Sequence, residues 1–227
     1  MMGAIVKRTF DIVTSAVCLV LTLPLSVIAA VIVVIGDPGP VFYRAQRVGL
    51  NGRNFGMHKF RTMVIAEGPG SAITGHDDPR FFRGARLLRL LKLDELPQLW
   101  DVLRGRMSVV GPRPEDPMIV EQHYTDDYRT TLTVRPGLTS PGSVYYFAHA
   151  EDLLKHGSAE EAYIRDVLPV KMALDQYYVN NLDFVYDLRL IFRTLIVIVK
   201  KAWGGSVSGE TPELDAVDWR VKETTDE

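Results

Sequence analysis

Residues 12–35, IVTSAVCLVLTLPLSVIAAVIVVI, run for 24 positions without a charged side chain and are interrupted once, by Pro24. As a straight helix the run would measure about 36 Å at roughly 1.5 Å per residue, enough to cross the hydrocarbon of a bilayer. A cleaved signal peptide fits poorly: the run is long for an apolar signal core, and no small-x-small cleavage site follows Ile35. The flanks complicate a single crossing. Lys7 and Arg8 precede the run, and Arg44, Arg47, Arg53, Lys59 and Arg61 follow it, so one crossing would put one basic cluster on the wrong side of the membrane. Pro24 removes a helical hydrogen bond and collides with the preceding turn, which predicts a kink, and Thr22 or Ser26 can satisfy the freed backbone groups. A helix that enters, bends near Pro24 and leaves by the same face reconciles these facts. An ordinary crossing with a proline kink is the other reading.

Two later stretches have the composition of surface-lying helices. RFFRGARLLRLLKL (80–93) spaces its cations three apart among Phe and Leu, and LIFRTLIVIVKKAW (190–203) ends in Lys200, Lys201 and Trp203. The first is expected at the membrane interface, its arginines near lipid phosphates. The second suits either an interface or the core of a soluble domain. Charge is unevenly distributed: residues 1–113 carry 15 Lys/Arg against 8 Asp/Glu, whereas the last 19 residues carry 2 against 7. The basic half therefore faces phosphates of a ligand or a membrane. No helix-turn-helix, zinc-finger or RNA-stacking signature accompanies it, so nucleic acid is not an expected partner. The single Cys18 excludes an internal disulfide and suits a packing role.

After a GDPGP turn (36–40), two extended runs flank LNGRN, and Asn51-Gly52 predicts a β-hairpin with a type I′ turn. Lys59 and Arg61, two apart on the second strand, are expected on one face. A Gly- and Pro-rich loop at 67–79 is expected to be mobile. The block DELPQLWDVLRGRMSVVGPRP then predicts a helix starting at Asp94, with Pro97 in its first turn, Gly105 at its end, and Leu96, Leu99, Trp100 and Leu103 as its buried stripe. MSVV reads as a short strand leading into a rigid turn. Asp94 and Glu95 have two readings. They are a cap and a first-turn acid with arginine counter-charges. Alternatively they are the parts of a phosphoryl-transfer site, in which one carboxylate attacks phosphorus, the other holds a divalent metal, and Lys59, Arg61, Arg89 and Arg113 spread the charge.

The sequence resembles the bacterial sugar transferases known as monotopic phosphoglycosyl transferases. The resemblance is carried by KRTFD (7–11), the Pro-broken apolar helix, GPVFYRAQRVG (39–49), KFRTM (59–63), LDELPQLWDVLRGRMSVVGPRP (93–114), RPGLT (135–139) and LDQYYVNNLDFVYDLRLIFRTL (174–195). It implies transfer of a sugar 1-phosphate from a nucleoside diphosphate sugar, a UDP-sugar by preference, to a polyprenyl phosphate such as undecaprenyl phosphate. Asp94 would be the nucleophile of a covalent phosphosugar intermediate, Glu95 a ligand of Mg2+, and Lys59, Arg89, Arg113 and Asp175 substrate-binding groups. The resemblance further implies a re-entrant membrane helix, contact with membrane lipids, and a catalytic domain on the cytoplasmic face of the bacterial inner membrane. A homodimer is compatible with the family and left open by the residues. Three positions depart from the family pattern. Leu23 stands where Ser commonly precedes the proline, Asp101 where Asn is frequent, and 140–157 continues differently after RPGLT.

The expected fold is α/β of a mostly helical, irregular kind, with a Pro-kinked membrane helix (1–36), a catalytic region with interfacial helices and a small hairpin (37–208), and an acidic tail (209–227), disordered or partner-bound. The alternative function is a non-catalytic, membrane-anchored scaffold in an envelope-polysaccharide complex. A phosphatase working through an aspartyl phosphate lacks the motifs expected of such enzymes.

Overall fold

The computed structural model describes residues 2–64, 78–153, 159–205, 207 and 211–217. The expected loop at 67–79 falls outside them apart from Asp78 and Pro79. The chain opens with α1 (Met2–Leu21) and α2 (Leu23–Gly36), which meet at a 62° bend. The break comes two residues before Pro24, where the ring obstructs the carbonyl four residues upstream. Thr22 closes the end of α1 by donating its hydroxyl to the Cys18 carbonyl at 2.7 Å. Among the described residues no single helix is long and apolar enough to cross a membrane; the bent pair meets that length and composition only together.

Strands β1 (Phe42–Val48) and β2 (Asn54–Phe60) pair antiparallel, Phe42 opposite Phe60 and Val48 opposite Asn54. Their turn has the expected chemistry: Asn51 and Gly52 sit at φ 55° and 72°, and the Arg53 amide donates to the Leu50 carbonyl at 3.3 Å. Three short helices and one strand follow: α3 (Ala85–Leu90), α4 (Gln98–Leu103), β3 (Ser108–Val110) and α5 (Pro117–His123). Next come α6 (Asp126–Arg129), β4 (Gly137–Thr139), α7 (Pro141–Leu153) and α8 (Ala159–Ala162). α8 passes through a π-helical turn into α9 (Leu168–Asn180), and α10 (Phe184–Ala202) follows. The mostly helical α/β class stands. A second sheet, the parallel pair β3–β4, joins the hairpin. Only glycine allows its close approach, because a Cβ on Gly137 would lie 2.1 Å from the Gly111 nitrogen.

Three expectations need correction. The helix expected over 80–93 is only six residues long, entered at Gly84 (φ 93°), and Phe82, Ala85 and Leu88 are buried against Ala29 and Val33 of α2. The helix expected from Asp94 is split: a 3-10 turn at Leu93–Glu95 precedes α4. The break at Pro97 shifts the helical phase, so Gln98, Leu99, Asp101 and Val102 face inward and Trp100 is 45% exposed. The tail is not wholly without structure. Pro212–Ala216 forms a 3-10 turn whose Glu213, 6% exposed, pairs with Arg193 at 2.6 Å and accepts from the Tyr186 hydroxyl at 2.8 Å.

Polar groups fasten α1 to the rest. Asp11, 2% exposed, accepts from the Ser108 hydroxyl and the Val109 amide at 3.0 and 2.9 Å. Arg8 donates to the Val102 and Leu103 carbonyls at the end of α4, a favourable place for a cation. Lys7 pairs with Asp187 of α10 at 2.6 Å. α10 is amphipathic, with Leu190 and Val197 buried and Phe192, Leu195, Val199 and Trp203 exposed, and the apolar side chains of α1 and α2 are likewise largely exposed.

Candidate active site

Lys92 adopts a left-handed backbone (φ 57°), uncommon for a side chain of its size. The turn this creates carries the chain from α3 into Leu93–Glu95 and points both acids inward. Asp94 is 7% exposed and its Oδ1 is buried without a hydrogen-bond partner, one of four such side-chain atoms among the described residues. Two of the others belong to Gln98, one helical turn further on, whose amide is entirely unpartnered. Buried polar atoms are nearly always paired, so three orphaned atoms so close in the chain mark a place built to meet something else.

Glu95 is treated differently. Its carboxylate accepts a forked pair from Arg113, at 2.7 and 3.1 Å, and a third bond from Lys92 at 3.1 Å. Burial pushes the Glu95 carboxyl up, but the charges and hydrogen bonds of Arg113 and Lys92 outweigh it and hold the group below the usual carboxylate range. Asp94 moves the other way. Burial, then the neighbouring Glu95 charge, raises it to about 6 against the pull of Lys92, Arg89 and Lys59. Two adjacent acids are thus driven apart in acidity, the pattern of groups with separate tasks.

Cations surround the pair. Lys59, next to the end of β2, lies with its ammonium 5.4 Å from the centre of the Tyr43 ring. It is lowered to about 8 by burial, then by the charges of Arg47, Arg89 and Arg113, with Asp94 opposing. Arg89 stacks on Phe81 at 4.9 Å. Such crowding of positive charge is unfavourable until an anion arrives. Asp101, fully buried, fixes the strand that carries Lys59: it accepts the His58 backbone amide and lies against His58 Nδ1, both at 2.8 Å.

The structure therefore brings Asp94, Glu95, Lys59, Arg89 and Arg113 together. Asp175 lies elsewhere, fully buried, accepting from the Gly142 amide at 3.2 Å and from Lys171 at 3.4 Å. Arg61 also leaves the group: it is 5% exposed and engages Asp37 and the Pro40 carbonyl. Sequence reasoning passed over Gln98 and Arg47. Gln98 follows Asp94 by four positions, a spacing that could have flagged it. Arg47 shows no local signal, since its effect on Lys59 depends on the hairpin pairing.

Among the described residues no three His, Cys, Asp or Glu side chains gather as a metal cage. Magnesium does not need one: it is commonly held by one or two carboxylates together with substrate phosphates and water. The unpartnered Asp94 oxygen beside Glu95 fits that manner of binding. Glu95 would have to exchange a bond from Lys92 or Arg113 to take part.

A family model described as bacterial sugar transferase matches residues 2–201. The chain belongs to that family. It is 34% identical over 199 residues to the UDP-N-acetylgalactosamine-undecaprenyl-phosphate N-acetylgalactosaminephosphotransferase of Aeromonas hydrophila, covering 86% of this chain and 44% of that protein. It is 35% identical over 193 residues to the UDP-glucose:undecaprenyl-phosphate glucose-1-phosphate transferase of Caulobacter vibrioides, covering 83% and 68%. A third relative is the exopolysaccharide production protein PSS of Rhizobium leguminosarum bv. phaseoli, 33% identical over 203 residues, covering 86% of this chain and 96% of that protein. The chain thus spans less than half the length of the Aeromonas relative and nearly all of the Rhizobium one.

Proposed function

We propose that this chain transfers a sugar 1-phosphate from a UDP-sugar to undecaprenyl phosphate or a similar polyprenyl phosphate, through a covalent intermediate on Asp94. The observation that carries the reading is the buried Asp94 Oδ1 without a partner, flanked by a Glu95 already committed to Arg113 and Lys92. Two relatives are named for UDP-sugars and undecaprenyl phosphate, which supports the substrate classes.

Asp94 Oδ1 attacks the phosphorus that bears the sugar. A bond forms from the carboxylate to that phosphorus, the bridging P–O bond breaks, and the nucleoside monophosphate leaves with the electron pair. Lys59, Arg89 and Arg113 bear the charge that develops on the phosphate oxygens. In the second half a phosphate oxygen of the polyprenyl acceptor attacks the same phosphorus. The bond to Asp94 breaks, restoring the carboxylate and giving the polyprenyl diphosphate sugar. Mg2+ held by Glu95 and Asp94 would neutralise phosphate charge and lower Asp94 into its ionised form. A single site used in turn by a soluble donor and a lipid acceptor requires an address at the bilayer surface. The bent α1–α2 pair, read as re-entrant from the cytoplasmic face of the bacterial inner membrane, supplies it. The test is donor alone: purified protein should release one equivalent of nucleoside monophosphate and gain the phosphosugar mass on the peptide containing Asp94. Adduct on another residue, or full turnover by Asp94→Asn, would overturn the reading.

A further inference from the structure

A cavity of about 280 Å3 adjoins the site. Lys92, Glu95 and Arg113 are the charged groups on its wall, and the rest is mainly apolar. Cys18 and Thr22, at the helix break, also line it, so one cavity touches both the bend of the apolar helices and the charged site. Its remaining walls come largely from α7, including Val144 and Phe147, and from α10, including Leu195 and Ile198. Val144 is 2% exposed and forms a firm wall, whereas Leu195 is 56% exposed and borders the outer apolar surface. The Phe147 ring lies between two cations, Lys92 at 4.6 Å and Lys201 at 4.7 Å, and Lys201 also donates to the Phe147 carbonyl at 2.6 Å. An apolar hollow with cations on one part of its wall and an apolar protein surface beside it matches an amphiphile: a hydrocarbon chain ending in a phosphate.

We propose that the cavity receives the first isoprene units of the acceptor and that α7, through Val144 and Phe147, selects the acceptor chain. The inference rests on the proposed reaction for the identity of the lipid. It also gives a role to the stretch after RPGLT that departs from the family pattern: its α7 portion bounds the lipid side of the site, so its variation acts on acceptor choice. The volume lies near the lower end of ligand pockets, roughly 300–1,000 Å3, so only the beginning of a long chain fits and the rest lies along the exposed apolar faces of α1, α2 and α10.

The experiment measures equilibrium binding of farnesyl phosphate to the full chain in detergent, with farnesol and inorganic phosphate as separate probes. Val144→Phe and Leu195→Trp should each weaken farnesyl phosphate at least tenfold and leave inorganic phosphate within twofold. Leu195→Trp guards against misfolding, since that position is half exposed. Unchanged farnesyl phosphate binding in a folded Leu195→Trp protein would overturn the proposal, and so would parallel loss of inorganic phosphate. The donor-only release of nucleoside monophosphate is scored separately: a wild-type chain that binds farnesyl phosphate by this pattern yet releases none would refute the proposed reaction and leave the cavity assignment standing.

Discussion

Two buried charged clusters lie close together in this protein, and they are built on opposite principles. Around Glu115, every acid is answered. Glu115 accepts from the Tyr163 hydroxyl and pairs with Lys171 at 2.9 Å, and Lys171 also reaches Asp175, whose other oxygen takes the Gly142 amide. Around Asp94 the cations are in excess and one carboxylate oxygen has no partner. A satisfied network holds parts in place; an unsatisfied one stores interactions for a ligand. The two are also coupled, because Glu115 follows Arg113 by two residues and its carbonyl accepts the Val48 amide at 2.9 Å. The closed cluster thereby anchors the loop that delivers Arg113 to the open one.

Substitutions should separate the two. The largest expected effect is Asp94→Asn, a loss of roughly 10³-fold or more in nucleoside monophosphate release, the scale that removal of a nucleophile produces. Next is Lys171→Met, which strands Glu115 and Asp175 as uncompensated buried acids. It should destabilise the fold by about 3–5 kcal/mol in denaturant melts, with activity falling at least as far as the folded fraction and well short of the Asp94→Asn loss. Asp94→Asn should also stabilise the protein. The Asp94 carboxyl is raised in the folded state, to about 6 from 3.8, so stability falls as pH rises through that window and the penalty is complete above it. Removing the charge should recover on the order of 1–3 kcal/mol at pH 7.5 with chelator present, a gain that equal melting curves would refute. The smallest effect concerns Lys59. It is lowered to about 8 from 10.5, so an arriving diphosphate must favour its protonated form, and donor affinity should weaken several-fold between pH 7 and pH 9.5. Lys59→Arg should flatten that dependence in direct binding measurements.

The open cluster was the more legible of the two. Asp94, Glu95 and Arg113 belong to one continuous block, and the Asn51-Gly52 turn and the Pro24 bend are equally local. Of the closed cluster the sequence points only to Asp175, and there to substrate binding; its pairing with Lys171 and Glu115 is not legible because Glu115 and Lys171 are far apart and nothing near either predicts the other. The phase of α4 is only partly legible: Leu99 is buried as the stripe requires, but the 3-10 turn before Pro97 leaves Trp100 exposed and turns Gln98, Asp101 and Val102 inward. Lys7 and Arg8 carry a membrane-orientation signal and part of the KRTFD motif, but neither reveals what they hold. Their partners, Asp187 and the end of α4, lie about 180 and 94 residues away, beyond the reach of any periodicity.

Those same two side chains, with Asp11, make the first helix more than a tether. Arg8 closes the last turn of the helix that follows Asp94, and Asp11 holds the Val109 amide of the strand that runs toward Arg113. A chimera carrying a foreign segment of the same hydrophobicity would lose these struts, leaving carbonyls and amides without partners. A replacement would have to keep Lys7, Arg8 and Asp11, the Cys18 and Thr22 that line the cavity, and the Ala29 and Val33 face that packs on Phe82, Ala85 and Leu88.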